Sequence, residues 1–357
     1  MKILYKTVQN RLFNLSNKPK GHALKRLNNL SGFVCGMIRK GNSNLPDIGS
    51  GLIQDIDANS KTTAAKRFVS NKYTDFSIHF LPFLVAFLRG ILAFSNMQTG
   101  IYLVIDGTQV GKDNGALMIS LRWRNRGIPI FWITKLGGKG HFKSEDHEFV
   151  LQEAIKILKP ILPKDVAVTL LGDGEFDSID LQKFCKSIHW DYVFRTANNT
   201  ILYEENGDSF KAKGMSVDKT HNTLFFNDVE FTKQRFKYVN FLLWHHKECE
   251  EPLPLISSID CPLKIMEAYR KRYGIEALFK DLKSTSFNLH KTRLTKAYDI
   301  SNLIMVAALA FNLLAILAEQ FKDNPIRKYI QRIREDKREF SFYTFALELL
   351  NYLLAVF

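Results

Sequence analysis

The chain has 357 residues, 50 Lys and Arg against 36 Asp and Glu, and a formal charge of +14. Its 46% hydrophobic and 24% charged residues exclude a disordered chain, and the length is sufficient for a sizeable core and two or three domains. The surplus of positive charge points to a polyanionic partner, either nucleic acid or an anionic membrane surface.

The first quarter carries most of that surplus. Residues 1–98 contain fourteen Lys and Arg and four Asp and Glu, a net charge of +10. The first twenty residues hold no apolar run long enough for a signal peptide, so a cytoplasmic, nucleoid-associated protein is expected. Gly41–Gly51, rich in Gly, Ser and Asn, reads as a loop. Lys61–Lys72 reads as a helix capped by Asn59-Ser60. Its basic side chains Lys61, Lys66, Arg67 and Lys72 form either a solvated surface or a face laid against DNA phosphates, and the regional charge favours the second. Leu81–Phe94 is an apolar stretch broken by Arg89 and Gly90, too short to span a bilayer.

From residue 101 the pattern changes. Ile101–Ile105, Ala116–Trp123 and Ile128–Thr134 read as three strands of a meander. A helix over Ser144–Leu158, a strand over Val166–Leu171, a helix over Ser178–Ser187 and a strand over Tyr192–Thr196 follow. A meander followed by crossover units fits the ribonuclease H-like α/β architecture. Residues 200–262 hold short strands at Ile201–Tyr203, Thr223–Phe226, Tyr238–Trp244 and Leu253–Ile256, which read as a β-rich insertion. Helices are expected over 263–284, 300–320, 325–338 and 342–356. The apolar run Leu303–Ala318 is sixteen residues, so it reads as a buried core helix and not a membrane span. This gives a basic N-terminal DNA-binding region (1–98), a ribonuclease H-like catalytic domain (99–199 and 263–322), the insertion (200–262), and a helical C-terminal region (323–357).

Four cysteines at 35, 185, 249 and 261 have no short spacing and read as reduced thiols. His245, His246, Cys249 and Cys261 fit no standard zinc pattern. The acids are more informative. Asp106 follows the first apolar run and Asp173 the fourth, and in the expected topology those strands are parallel neighbours. Two ionised carboxylates ~4 Å apart repel by roughly 4 kcal/mol at an effective dielectric near 20, which a hard divalent cation such as magnesium relieves. The plainer alternative is that both are turn residues, since each precedes glycine.

A third group lies on the helix expected over 263–284. Tyr269, Arg272, Glu276 and Lys283 fall within roughly 60° of one another at ~100° per residue. Ile275, Leu278, Phe279 and Leu282 occupy the adjoining face, which would pack on the sheet. A solvated stripe of helical ion pairs would have the same spacing, since Arg272 and Glu276 are i,i+4 partners.

The spacing Tyr269, two residues, Arg272, three residues, Glu276, six residues, Lys283 resembles the Y(2)R(3)E(6)K signature of DDE-type bacterial transposases of the insertion sequence 4 family. Val104–Thr108 and Leu170–Phe176 are similar to the segments that carry the two aspartates in that family, and the resemblance covers about residues 101–320. It implies that Asp106, Asp173 and Glu276 are the catalytic carboxylates and hold two divalent metal ions, Mg²⁺ with Mn²⁺ as a substitute. It implies that Tyr269, Arg272 and Lys283 contact the DNA backbone and a flipped base. The implied activity is DNA transposase: cleavage at the element ends and joining of the 3′-hydroxyls to target DNA, by a homodimer on double-stranded DNA with no membrane involved. The alternative is an inactive or repurposed DNA-binding protein derived from a transposase. Gly174 stands where the family often has Arg, and Glu175 adds an acid beside Asp173. Trp244 is the lone tryptophan of the insertion and reads as a buried strand residue.

Overall fold

The computed structural model describes residues 2–16, 18–93, 100–138, 140, 142–217, 222–331, 333–334, 337–338 and 342–356. It opens with six helices: α1 (Lys2–Leu15), α2 (Gly21–Lys40), α3 (Leu45–Gly49), α4 (Ala58–Val69), α5 (Phe76–His79) and α6 (Leu81–Ala93). The Gly/Ser/Asn-rich stretch expected as a loop therefore contains α3. Pro46 sits in its first turn, where a missing N–H costs nothing. Helix α4 begins three residues before the basic run. Its cap is Asp57, whose carboxylate accepts from the Ser60 amide at 2.9 Å, and not Asn59-Ser60. Ala65, Phe68 and Val69 turn inward, while Lys66 and Arg67 are exposed and Lys61 is half-buried. Lys72 is exposed beyond the helix end, over the ring of Tyr73.

The meander is β1 (Ile101–Val110), β2 (Asn114–Trp123) and β3 (Arg126–Leu136). Then come α7 (Ser144–Leu158), β4 (Val168–Gly172), α8 (Ile179–Ser187) and β5 (Asp191–Arg195). Strand β1 pairs antiparallel with β2 and parallel with β4, and β4 pairs parallel with β5. The order β3-β2-β1-β4-β5 with these senses is the ribonuclease H-like arrangement. The insertion supplies β6 (Leu202–Tyr203), β7 (Ser209–Phe210), β8 (Thr223–Phe231), β9 (Phe236–Trp244) and β10 (Leu253–Ser257). It extends the same sheet, because β10 pairs antiparallel with β5, giving ten strands ordered β3-β2-β1-β4-β5-β10-β9-β8-β6-β7.

The chain then turns helical: α9 (Pro262–Lys271), α10 (Tyr273–Lys280), a π-helical turn (Asp281–Thr285), a 3₁₀ turn (Leu289–Lys291), and α11 (Ala297–Gln320). Helix α11 is long and apolar enough by composition to cross a membrane, but 78% of that window is buried within the fold. It packs on α2, α4, β3 and α13 (Phe342–Val356), so it is a core helix as expected. Where one helix is expected over 325–338, the structure has the short α12 (Arg327–Ile330) and the two-residue strands β11 (Ile333–Arg334) and β12 (Lys337–Arg338). All four cysteines are free, and burial pushes the thiols of Cys35 and Cys185 up to about 12.

Candidate active site

Asp106 lies inside β1, not after it. The strand continues because Gly107 and Thr108 pair with Leu117 and Ala116 of β2. Asp106 is 4% exposed, so its carboxylate needs a compensating partner. The register of β1 on β4 runs from Ile101 opposite Val168 to Val104 opposite Leu171. Asp106 follows Val104 by two residues within β1, and Asp173 follows Leu171 by two, one residue past the end of β4. Both carboxylates act on the Arg272 charge, which brings them to the same edge of the sheet.

The chain after β4 turns sharply. Gly172 permits this, since a Cβ there would lie 2.7 Å from the Phe176 side chain. The Asp173 carboxylate accepts from the Glu175 amide at 3.0 Å, which fixes the turn. Beside it is a groove of about 360 Å³ lined by Asp173, Gly174, Glu175, Arg195, Thr196, Ala197 and Asn198. Arg195 ends β5, and sequence reasoning missed it. The available signal was a cation closing the strand after the Asp173 unit, at the same sheet edge. Behind the groove, burial raises the pKa of Asp177, against a 2.6 Å hydrogen bond from Thr196.

Helices α9 and α10 cross the sheet, α9 over β4 and β5 and α10 over β1–β3. They are nearly one helix, tightened where the Arg272 amide donates to Tyr269 O and the Ile275 amide to Arg272 O. Ile275, Leu278, Phe279 and Leu282 are all buried, as their spacing predicts. Glu276, on the adjoining face, is half-buried. The Arg272 guanidinium is paired with Glu276 and lies 3.6 Å from Asp106 Oδ2. Burial acts against the charge on Arg272. Tyr269, Glu276, Asp106 and Asp173 outweigh it and raise the arginine pKa. Tyr269 is 8% exposed with its pKa raised by burial, and the Arg272 guanidinium lies 5.7 Å from its ring. Asp106, Asp173, Glu276, Arg272 and Tyr269 therefore share one electrostatic environment.

Lys283 sits half-buried on the π-helical turn that follows α10. The N-terminal cations Lys61, Lys66, Arg67 and Lys72 belong to α4 and the loop after it. Trp244 is buried at the end of β9, edge-on to His246 and beneath the Arg270 guanidinium.

Among the described residues no three His, Cys, Asp or Glu side chains stand close enough to hold a metal ion together. The acids are drawn instead around the Arg272 guanidinium. The donor set still fits a hard divalent cation: all its donors are carboxylate oxygens, and these groups already hold a positive charge among them.

Residues 143–313 match the family model of a transposase DDE domain, which supports a transposase of the DDE class. The matched range contains Asp173 and Glu276 and begins after Asp106. No curated protein matches the chain. Among solved structures, endonuclease V of Ciona intestinalis, in complex with an inosine-containing DNA, is similar at 14% identity and a TM-score of 0.29, covering 58% of this chain and 96% of that one. The catalytic domain of human endonuclease V gives 11% identity and 0.28, with 58% and 98% covered. The Argonaute of Aquifex aeolicus gives 10% and 0.27 over 57% of this chain, which spans only 28% of that protein.

Proposed function

We propose that this protein is a DNA transposase of the insertion sequence 4 branch, cutting at the ends of its element and joining the freed 3′-hydroxyls to target DNA. The observation that carries the reading is the convergence of Asp106 from β1, Asp173 from the turn after β4 and Glu276 from α10 on the Arg272 guanidinium.

Asp106, Asp173 and Glu276 would hold two divalent cations, Mg²⁺ or Mn²⁺. Bound there, these supply charge stabilisation for both the attacking and the leaving oxygen of an in-line displacement. The chain's own residues do the rest. Arg272 offers a planar, bidentate donor to a phosphate oxygen once it leaves the carboxylates. Tyr269 presents a buried ring and hydroxyl against the same guanidinium, suited to packing on a base or sugar. Arg195 and Asn198 line the groove beside Asp173, where a strand leaving the scissile phosphate would run. Lys283, the α4 cations Lys61, Lys66 and Arg67, and Lys72 just after α4 add sequence-independent phosphate contacts. Cleavage at two ends in one complex calls for a homodimer.

Linear duplex DNA carrying the element's ends tests this, incubated with Mg²⁺, Mn²⁺ or EDTA and with wild type or Glu276→Gln. Boundary nicking that needs the metal and disappears in Glu276→Gln supports the reading. Cleavage that persists in EDTA or in the variant overturns the metal-site assignment. DNA binding with no cleavage by wild type under any metal leaves the repurposed DNA-binding protein.

A further inference from the structure

The β8–β9 hairpin carries a second cluster of cations and aromatic rings, remote from the carboxylates. Lys183 and Lys186 of α8 lie over the Phe236 ring at 6.0 and 4.7 Å, and Lys186 also lies 5.6 Å from the Tyr238 ring. Arg235 covers Tyr203 at 4.1 Å. Lys233, Arg235 and Lys237 are exposed around them. The acids on the hairpin are Asp228 and Glu230, and Glu230 pairs with Arg235 at 2.9 Å and Lys237 at 3.7 Å. Five cations against two acids leave the surface positive. The acidic β6–β7 turn, with Glu204, Glu205 and Asp208, bounds it on the β6 side.

The backbone is shaped to present one side chain. Asp228, Thr232, Arg235 and Tyr238 all have positive φ, and none is glycine. Val229 pairs with Val239 and Phe231 with Phe236, so Lys237 and Tyr238 bulge opposite Glu230. Bulges of this kind re-aim side chains. Tyr238 emerges 72% exposed at φ +62°. The Lys186 ammonium holds the bulge from below, donating to Lys237 O at 3.2 Å and Tyr238 O at 2.9 Å. The strained bulge lifts a large aromatic into solvent, with cations around it.

We propose that this hairpin and the last turn of α8 form a second DNA-contact surface, which grips the backbone of duplex DNA away from the cleavage site. Register locates it. Asn240 is level with Ser257, Val193 and Leu171 across β9, β10, β5 and β4, so Tyr238 lies four residues short of Asp173 along the strand direction. Three strand spacings and four residues separate them, about 20 Å in all. At about 3.4 Å per base pair, the surface meets DNA roughly six base pairs from a phosphate held at the carboxylates. The lysines take phosphate oxygens, while Tyr238 packs its ring on a deoxyribose and offers its hydroxyl to the same backbone. The proposal rests on the DNA reading of the active site.

The test is binding of the full chain to a fluorescent 30-base-pair duplex, with affinity followed from about 50 to 200 mM salt. Two variants are compared with wild type: Lys183→Ala/Lys233→Ala/Lys237→Ala and Tyr238→Gly. The triple variant should lower the slope of log K against log salt by about two to three, one for each phosphate that a lysine no longer neutralises. Tyr238→Gly relieves the positive φ, so it should weaken binding while melting at the wild-type temperature or above. An unchanged slope in the triple variant, or full affinity in Tyr238→Gly, overturns this surface and leaves the active-site reading standing. No duplex binding by wild type overturns both.

Discussion

The guanidinium of Arg272 lies 3.6 Å from Asp106 Oδ2 and is paired with Glu276, so one cation ties the strand acid to the helix acid. The same charge competes with a divalent ion for those carboxylates. Its side chain is 17% exposed, so solvent screens the contest only in part. At this separation a unit charge is worth about 1–4 kcal/mol between the aqueous and near-surface limits. Arg272→Gln should therefore tighten Mn²⁺ binding by the DNA-free protein at least about tenfold in titration calorimetry, while cleavage falls because the phosphate donor is gone. Equal or weaker Mn²⁺ affinity in the variant would refute the competition. If DNA draws Arg272 onto a phosphate, linkage requires that DNA and metal strengthen each other's binding in wild type and lose that coupling in Arg272→Gln.

The helix that carries Glu276 is seated by two glycines. A Cβ on Gly274 would lie 2.5 Å from Arg122 Nη1 and 2.8 Å from its Cδ, and one on Gly127 would lie 2.8 Å from Ser120 Oγ and 3.3 Å from Gly274 O. Neither glycine has positive φ, so close approach is the requirement. Gly274→Ala must displace the Arg122 side chain or lift α10 from β2 and β3, at a cost of about 1–3 kcal/mol, two residues from Glu276. It should lower Tm by several degrees and reduce cleavage more than DNA binding. Gly90→Ala is the contrasting case. It is an exposed helix position with nothing within 4 Å of the new methyl, so its Tm should hold or rise slightly. Equal melting of the two variants would show that the glycine contact does not seat the helix.

The distinction between these glycines marks where the sequence was legible. Periodicity gave the buried face of α10, with Ile275, Leu278, Phe279 and Leu282, because that face depends only on local winding. The meander and crossover order was legible for the same reason. The end of β1 was not: Asp-Gly is a turn dipeptide, and only pairing with β2 carries the strand on to Val110. The π-helical turn that carries Lys283 has no sequence signal of its own. Arg195 joins the site through the parallel pairing of β4 and β5, a contact between segments that no local pattern encodes.

Helix α3 lies in a Gly/Ser/Asn-rich stretch whose local pattern reads as a loop, and the glycines where this segment meets α2 give a further prediction. A Cβ on Gly51 would stand 1.9 Å from Gly32 O and 2.4 Å from the Gly36 amide nitrogen. One on Gly36 would stand 2.3 Å from Ile48 O. These obstacles are backbone atoms on both sides, so no rotamer change can relieve them. Gly36→Ala and Gly51→Ala should each cost more than about 3 kcal/mol, at the severe end for single substitutions. Thermal melting and limited proteolysis around residues 41–57 measure it. Wild-type resistance in both variants would show that α2 and the α3 segment are not packed backbone to backbone.

His147 gives the pH dependence a definite sign. It is 4% exposed on α7, its ring is 4.7 Å from Phe176, and neither ring nitrogen has a hydrogen-bond partner. Burial lowers its pKa, against the opposing pull of Asp146 and Asp173. The unfolded chain therefore takes up a proton near pH 6.5 that the folded chain resists. Above that pH both states are neutral and the group costs nothing. As pH falls below about 6.5, protonation favours the unfolded state and stability declines. His79 adds to the decline, its pKa also lowered by burial. His147→Phe keeps a ring against Phe176 and removes the titration. Wild type should lose Tm from pH 7.5 to 5.5, and the difference in Tm between variant and wild type should grow in the variant's favour across that range. A difference independent of pH would mean that His147 titrates alike in both states, contrary to its burial without hydrogen-bond partners.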